Sequence, residues 1–346
     1  MLTVFTLFLL LLFSGLPIYV NLGLCSFLFM FSQGFAPLAI VQRTAMAANS
    51  FTLLAAPFFI LMGNIMNKSG VTKRLFAFAN ALTGHRAGGL GQANIIASAL
   101  FAEGSGTAIA DAGSLGTIEI KAMRDSGYDD DFTCAVSAVS AIIVPITPPS
   151  LPMVILAVTV EASIGRLFLG GILPGLLTAA ALMLTVSIYA RKRNYPQNPK
   201  PKPQAVRAAF KEALCALFAP VILFSGIFSG AVTPTEAAVV AAAYSLFLGL
   251  CVYKELKIKD IPQMILAACE TTGVVLALVM TANAFGYILS LSQIPQSVLQ
   301  TLLSLSDNKY LLLIIINLFL LFLGMFMEST ASILILAPIL IPVMTG

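Results

Sequence analysis

Two interrupted stretches hold the residue types best suited to binding an ion or an anion within an apolar chain. Glu103-Gly104-Ser105-Gly106-Thr107 breaks an apolar run, with Asp111 one helical turn further on. Val144-Pro145-Ile146-Thr147-Pro148-Pro149-Ser150-Leu151-Pro152 then places four prolines within eight residues. Each proline removes a helical donor and frees carbonyls upstream. Unwound carbonyls together with Ser and Thr oxygens make a hard-oxygen site suited to Na⁺, and helix N-termini can face a substrate carboxylate. The substrate-facing candidates are Glu103, Asp111, Thr147, Pro148 and Ser150. Acids inside a membrane are costly and functional by default, although Glu103 could equally pair with a neighbouring helix. A second polar group, Glu328-Ser329-Thr330-Ala331-Ser332, occurs further along.

Other chemistries find less support. An intramembrane hydrolase needs a nucleophile with a base, or a metal set, at membrane depth. The single histidine, His85, sits beside Arg86 at a membrane edge, and no paired-Asp motif occurs. Asp129-Asp130-Asp131 resembles a metal cluster but reads as a solvated helix cap, where each acid favours the dipole by ~0.3–1 kcal/mol. Cys25, Cys134, Cys215, Cys251 and Cys269 have no zinc or redox spacing and read as buried structural thiols. No enzyme activity and no cofactor are expected. The net charge of +4 comes mainly from loops and reports topology rather than nucleic-acid binding.

The elements that must position these residues follow from composition. The 346 residues are 59% hydrophobic and only 10% charged, against ~25% charged in soluble domains. Apolar runs close to the ~20 residues needed to cross a bilayer recur along the chain, and they lack the ~10-residue alternation of a β-barrel. The fold expected is an all-α polytopic membrane protein. The basic stretch 191–212 and the lysines at 254, 257 and 259 mark two cytoplasmic loops, with crossings at 213–232 and 233–253 between them. Thr233-Pro234-Thr235-Glu236 predicts a capping box at the outer turn. The segment 92–103 would be ~18 Å long as a helix, too short to cross, so 87–121 reads as a re-entrant hairpin covered by protein or a water-filled cavity. The next helix, 131–160, is broken midway by its prolines. Residues 3–32 form one long helix or two, with Gly15 and Pro17 offering a break.

An internal repeat links the two polar groups. Val71, Leu75, Ala79 and Leu82 form a surface-helix stripe, and an offset of 223 carries it onto Ile294, Val298, Leu302 and Leu305. The first stripe is surrounded by cytoplasmic basic residues and the second is not, so the two copies face opposite sides, as in inverted-repeat transporters. The expected parts are 1–86, scaffold with an arm helix; 87–190, transport domain with hairpin and broken helix; 191–309, cytoplasmic loop, scaffold and arm; and 310–346, an incomplete second part of the transport domain. The partner of the Pro145–Pro152 break would fall at 368–375, so the repeat predicts a longer chain of about 413 residues.

At these motifs the sequence resembles the large membrane (M) subunit of the tripartite ATP-independent periplasmic (TRAP) transporters. The matching stretches include APFFILMGNIM at 56–66, GHRAGGLGQANIIASALFA at 84–102, SGTAIADAGSLG at 105–116, PITPPSLPMVI at 145–155, SIGRLFLGGILPGLL at 163–177, SGAVTPTEAAVVAAAYSL at 229–246 and GMFMESTASILILAPILIPV at 324–343. The resemblance covers essentially the whole chain. It implies an elevator-type carrier in the bacterial inner membrane, with Na⁺ as coupling ion. It also implies a small four-helix membrane subunit (Q type) and a periplasmic substrate-binding protein (P type) that delivers an organic acid, such as a dicarboxylate or sialic acid. By motif, a first sodium site would use Ser105, Gly106, Thr107, Pro145, Ile146 and Thr147, and a second Glu328, Ser329 and Thr330. Glu103 departs from the small uncharged residue common there, and Thr107 stands where Ser is frequent. Two alternatives stay open: a single-chain ion-coupled carrier without a binding protein, and a non-functional fragment of the transporter subunit.

Overall fold

The structure is a computed structural model. It describes the chain except residues 1, 36, 106, 198, 306, 307, 326 and 346; the side chains of residues 2–5, 9, 37, 39, 40, 43, 51, 52, 102–105, 110, 114, 303, 305, 309 and 342–345 also lie outside the described residues. Every long element among the described residues is helical: α1 (Leu2–Phe13), α2 (Ile18–Ser32), α3 (Pro37–Ala48), α4 (Ala55–Lys68), α5 (Val71–Thr83), α6 (Gly89–Ser105), α7 (Ala108–Asp125), α8 (Asp130–Ser140), α9 (Ile143–Ile146), α10 (Leu151–Thr159), α11 (Ile164–Lys192), α12 (Pro203–Phe228), α13 (Pro234–Phe247), α14 (Ile261–Leu291), α15 (Ile294–Leu305), α16 (Lys309–Gly324) and α17 (Ser329–Thr345). Among the described residues, five helical stretches are long and apolar enough to cross a membrane: 130–159, 164–192, 203–228, 234–252 and 258–291.

Local chemistry explains most boundaries. Gly15 adopts φ +79° ahead of Pro17, which splits the first apolar run into α1 and α2. The outer turn forms the expected capping box: Glu236 N–H donates to Thr233 Oγ1 at 3.3 Å and Thr233 N–H to Glu236 Oε2 at 2.7 Å.

Two expectations are corrected. Helix α12 begins at Pro203 rather than near 213, because Pro203 sits at its N-terminus and the basic run AVRAAFKEA is made largely of helix formers. Among the cysteines only Cys25 is buried, while Cys134, Cys251 and Cys269 lie exposed on helix surfaces.

By contacts the chain divides into two units, one of residues 54–154 and 163–270, the other of 1–53, 155–162 and 271–346. In the first, α4 packs on α13 and α6, while α5 packs on α6 and α12. Arg74 ties the start of α5 down: its guanidinium bonds Glu255 Oε1 at 2.7 Å and the Gly70 carbonyl at 2.9 Å, and lies 3.9 Å from the Tyr253 ring centroid. Arg74→Ala should lower unfolding stability by about 1–3 kcal/mol, measured by thermal aggregation in detergent; an unchanged midpoint would show that the cluster contributes nothing.

In the second unit, Phe8 stacks on Phe285 at 5.7 Å and Asn21 Nδ2 donates to the Phe8 carbonyl at 3.0 Å. Met30 and Ile288 form a fully buried pair, and α17 packs on α15 and α16. The repeat offset is visible in the elements: α5 shifted by 223 falls on 294–306, and α15 is Ile294–Leu305.

Candidate functional site

The first hairpin is α6 and α7, joined through residues 106–107. Its first arm is longer than the sequence implied. It runs from Gly89 through Ser105, about 25 Å, so Gly104 and Ser105 continue the helix instead of breaking it. Gly106 lies outside the described residues, as do the side chains of Glu103 and Ser105. Thr107 opens the first turn of α7, its carbonyl accepting from Asp111 N–H at 3.1 Å.

Polar side chains bind the hairpin together and to α8. Ser98 Oγ donates to Asp111 Oδ2 at 2.9 Å across the two arms, and Asp111 is only 1% exposed. Asn94 Nδ2 donates to Ser137 Oγ at 2.9 Å, with both residues buried. Glu119, two turns beyond Asp111 on α7, is also 1% exposed, and its Oε1 has no hydrogen-bond partner among the described residues. Sequence reading passed over Glu119, because an acid between two isoleucines close to Lys121 and Arg124 looks like the start of the cytoplasmic surface. Its spacing of eight from Asp111, which puts both on one helix face, was the available signal.

The broken helix is α8, α9 and α10. Its unwound part, 147–150, is shorter than the run of prolines suggested, because Val144, Pro145 and Ile146 keep a helical turn and Pro152 falls in the first turn of α10. Thr147 is extended, with φ −86° and ψ 126°, and its N–H still bonds the Ile143 carbonyl at 2.8 Å. Pro148 is buried and joined to Pro149 by a cis peptide bond. Ser150 is used by the backbone: its Oγ donates to the Pro145 carbonyl at 2.8 Å and accepts from Met153 N–H at 3.3 Å, capping α10. The Thr147 hydroxyl differs. Its Oγ1 is buried and has no hydrogen-bond partner among the described residues.

Two glycines of α11 bring that helix onto the break. A Cβ on Gly175 would fall 2.6 Å from Thr147 Oγ1, and one on Gly171 would fall 2.7 Å from the Ile146 carbonyl oxygen. Helix α9 also packs against both arms of the hairpin. An unsatisfied hydroxyl and the carbonyl before it are thus enclosed by α11, at the end of a turn that rests on α6 and α7.

The second hairpin is α16 and α17, joined through residues 325–328. Here Glu328 is the N-cap of α17. Its Oε2 accepts from the backbone N–H of Thr330 at 3.0 Å and Ala331 at 3.3 Å; its Oε1 accepts from Ser329 Oγ at 3.1 Å and Thr330 Oγ1 at 2.9 Å. The three candidates of the second site are therefore assembled around one carboxylate. In the same unit a cavity of about 400 Å³ is lined by Thr159, Glu161, Asn283, Tyr287 and Ser290, with Pro338 of α17 at its wall.

Two acids of the 129–131 triplet have structural partners. Asp129 accepts from Tyr195 Oη at 2.7 Å and from Arg193 at 3.1 Å, and Asp130 pairs with Arg124 at 2.6 Å. Among the described residues no three of His, Cys, Asp and Glu gather as a metal site.

Helices long enough to cross a membrane, a helix broken at proline and a hairpin with buried acids define a polytopic membrane transporter. The family is shown directly. The model of the tripartite ATP-independent periplasmic transporter, DctM component, matches residues 5–346, and the chain belongs to that family. It is 45% identical to the sialic acid TRAP transporter large permease protein SiaM of Vibrio cholerae, over 96% of this chain and 78% of that protein. It is 42% identical to the sialic acid TRAP transporter permease protein SiaT of Haemophilus influenzae, over 97% of this chain and 54% of that protein. To the C4-dicarboxylate TRAP transporter large permease protein DctM of Rhodobacter capsulatus it is 35% identical, over 99% of this chain and 81% of that protein. The chain is accordingly a multi-pass protein of the bacterial inner membrane and a transport component, not an enzyme.

Proposed function

We propose that the chain is the large permease of a sodium-coupled importer for an organic acid handed over by a periplasmic binding protein, with a small four-helix membrane subunit beside it. The relatives named for sialic acid and for C4-dicarboxylates support a carboxylate as the substrate. The observation that carries the sodium reading is the Thr147 hydroxyl, buried without a partner among the described residues and next to the Ile146 carbonyl, on a turn resting against both arms of the hairpin. Leaving such a group unsatisfied costs about 1–3 kcal/mol, and Na⁺ accepts hard oxygen donors of this kind. Pro145, Ile146 and Thr147 would supply the broken-helix side of the first site, and Ser105, Gly106 and Thr107 the hairpin side. Glu328, Ser329 and Thr330 would belong to the second.

Sodium bound between the turn and the hairpin would order both, making substrate capture conditional on the ion. The moving domain would comprise 87–190 and 310–346, carried by a scaffold of 1–86 and 191–309 in an elevator motion. Two mechanisms then differ in one measurement. In proteoliposomes holding the chain with its small subunit, uptake should require both an inward sodium gradient and the loaded binding protein. Uptake of free substrate without that protein would favour a single-chain carrier, and uptake indifferent to sodium would overturn the coupling.

A further inference from the structure

The turn between α5 and α6 is pressed against the cytoplasmic end of α11 by two glycines. Gly88 has φ +71°, and a Cβ there would fall 2.7 Å from Ala190 Cβ and 3.0 Å from Val186 Cγ1. A Cβ on Gly91 would likewise meet Val186 Cγ1 at 3.0 Å. This approach lets Gln92 Nε2 donate to Ser187 Oγ at 2.8 Å and to the Ala87 carbonyl at 3.1 Å. Beside that junction lies a pocket of about 740 Å³ whose polar wall is Arg86, Gln92, Ser187 and Arg191.

Arg74, Arg124 and Arg193 each have a carboxylate partner. Arg86 and Arg191, like Arg166 and Arg207, hold no carboxylate among the described residues; what sets the first two apart is that they share one pocket. Both are exposed. The guanidinium fork matches phosphate oxygens, so two unpaired arginines lining one pocket suit an anion. The charge distribution puts both on the cytoplasmic side.

The opposite wall decides which anion. It is formed by Ala180, Met183 and Leu184 of α11, and Leu184 is 64% exposed. Below it the same helix presents Leu177 and Leu173, 61% and 65% exposed, toward the middle of the span. A soluble anion gains nothing from this apolar track, whereas an acyl chain hanging from a phosphate fits along it. Basic pockets between helices at the cytoplasmic face suit anionic headgroups.

We propose that this pocket binds an anionic phospholipid of the cytoplasmic leaflet, its phosphate held by Arg86 and Arg191 and one acyl chain lying along Ala180, Met183 and Leu184. Because Arg86 precedes the hairpin and Arg191 ends α11, the lipid joins the turn into α6 to the neighbouring span.

Native mass spectrometry of the full chain in detergent tests this, with phosphatidylglycerol, phosphatidylcholine or inorganic phosphate added in turn. The expected result is retention of phosphatidylglycerol about 10-fold or more over phosphatidylcholine. Arg86→Gln with Arg191→Gln should bring phosphatidylglycerol down to the phosphatidylcholine level, while Lys254→Gln with Lys257→Gln, removing equal charge elsewhere, should not. Equal retention of the two lipids by the unaltered chain would overturn the proposal, and that comparison stands whatever the yield of the variants. Full retention of phosphatidylglycerol by the double arginine variant would also overturn it. Inorganic phosphate displacing the lipid at comparable concentration would reassign the pocket to a soluble anion and overturn the lipid reading.

Discussion

Replacing Thr147 by valine is expected to cut sodium-driven uptake by about 10- to 100-fold, the loss typical when the shell of a metal site is disturbed, without weakening the fold. The two effects separate because of where the hydroxyl sits. Thr147 Oγ1 is buried and makes no hydrogen bond among the described residues, so its burial costs about 1–3 kcal/mol when nothing binds it. Valine has nearly the same shape and removes that cost. In sodium-free buffer the variant should unfold at the same temperature as the wild type or higher, while its uptake should respond weakly to sodium. A residue serving only packing would behave otherwise: transport would keep its sodium dependence. The chain has no tryptophan, so unfolding is better followed by thermal aggregation on size exclusion than by intrinsic fluorescence.

Gly175→Ala should be strongly damaging, and damaging to transport more than to insertion. The added carbon would lie 2.6 Å from Thr147 Oγ1 and 3.4 Å from Thr147 Cα, against a backbone already fixed by the Ile143 and Ser150 hydrogen bonds. Overpacking of this kind costs about 1–3 kcal/mol. Because the clash falls on the proposed ligand, transport should drop about 10-fold or more even where the protein still inserts. Gly170 provides the control. It lies in the same helix with nothing within 4 Å of its would-be Cβ, so Gly170→Ala should leave uptake intact and gain up to ~1 kcal/mol from helix propensity. Equal behaviour of the two variants would show that close approach at Gly175 has no functional weight.

What could be read from the sequence was what local chemistry determines. The Thr233–Glu236 box spans four residues and is decided within them, so it appears as expected. The boundary between α1 and α2 at Gly15 and Pro17, and the unwound turn at Thr147, are likewise local. The acidic triplet at 129–131 was legible as a helix cap, but the partners of Asp129, Tyr195 and Arg193, lie more than 60 residues away and leave no local trace. Glu328 shows the reverse confusion. A carboxylate before Ser-Thr-Ala-Ser is as good an N-cap as it is a ligand, and the side chain satisfies four donors of its own helix. Gly171 and Gly175 went unmarked in the sequence, because the chain they admit is found only from the packed helices.

The most direct test of the central claim compares the unaltered chain in sodium chloride and in potassium chloride at equal ionic strength, by thermal aggregation. A ligand that binds only the folded state stabilises it by about 2.7 kcal/mol at 100 times its dissociation constant. The midpoint should rise with sodium and not with potassium, and the rise should largely disappear in Thr147→Val. Midpoints that coincide in the two salts at every concentration would contradict the claim.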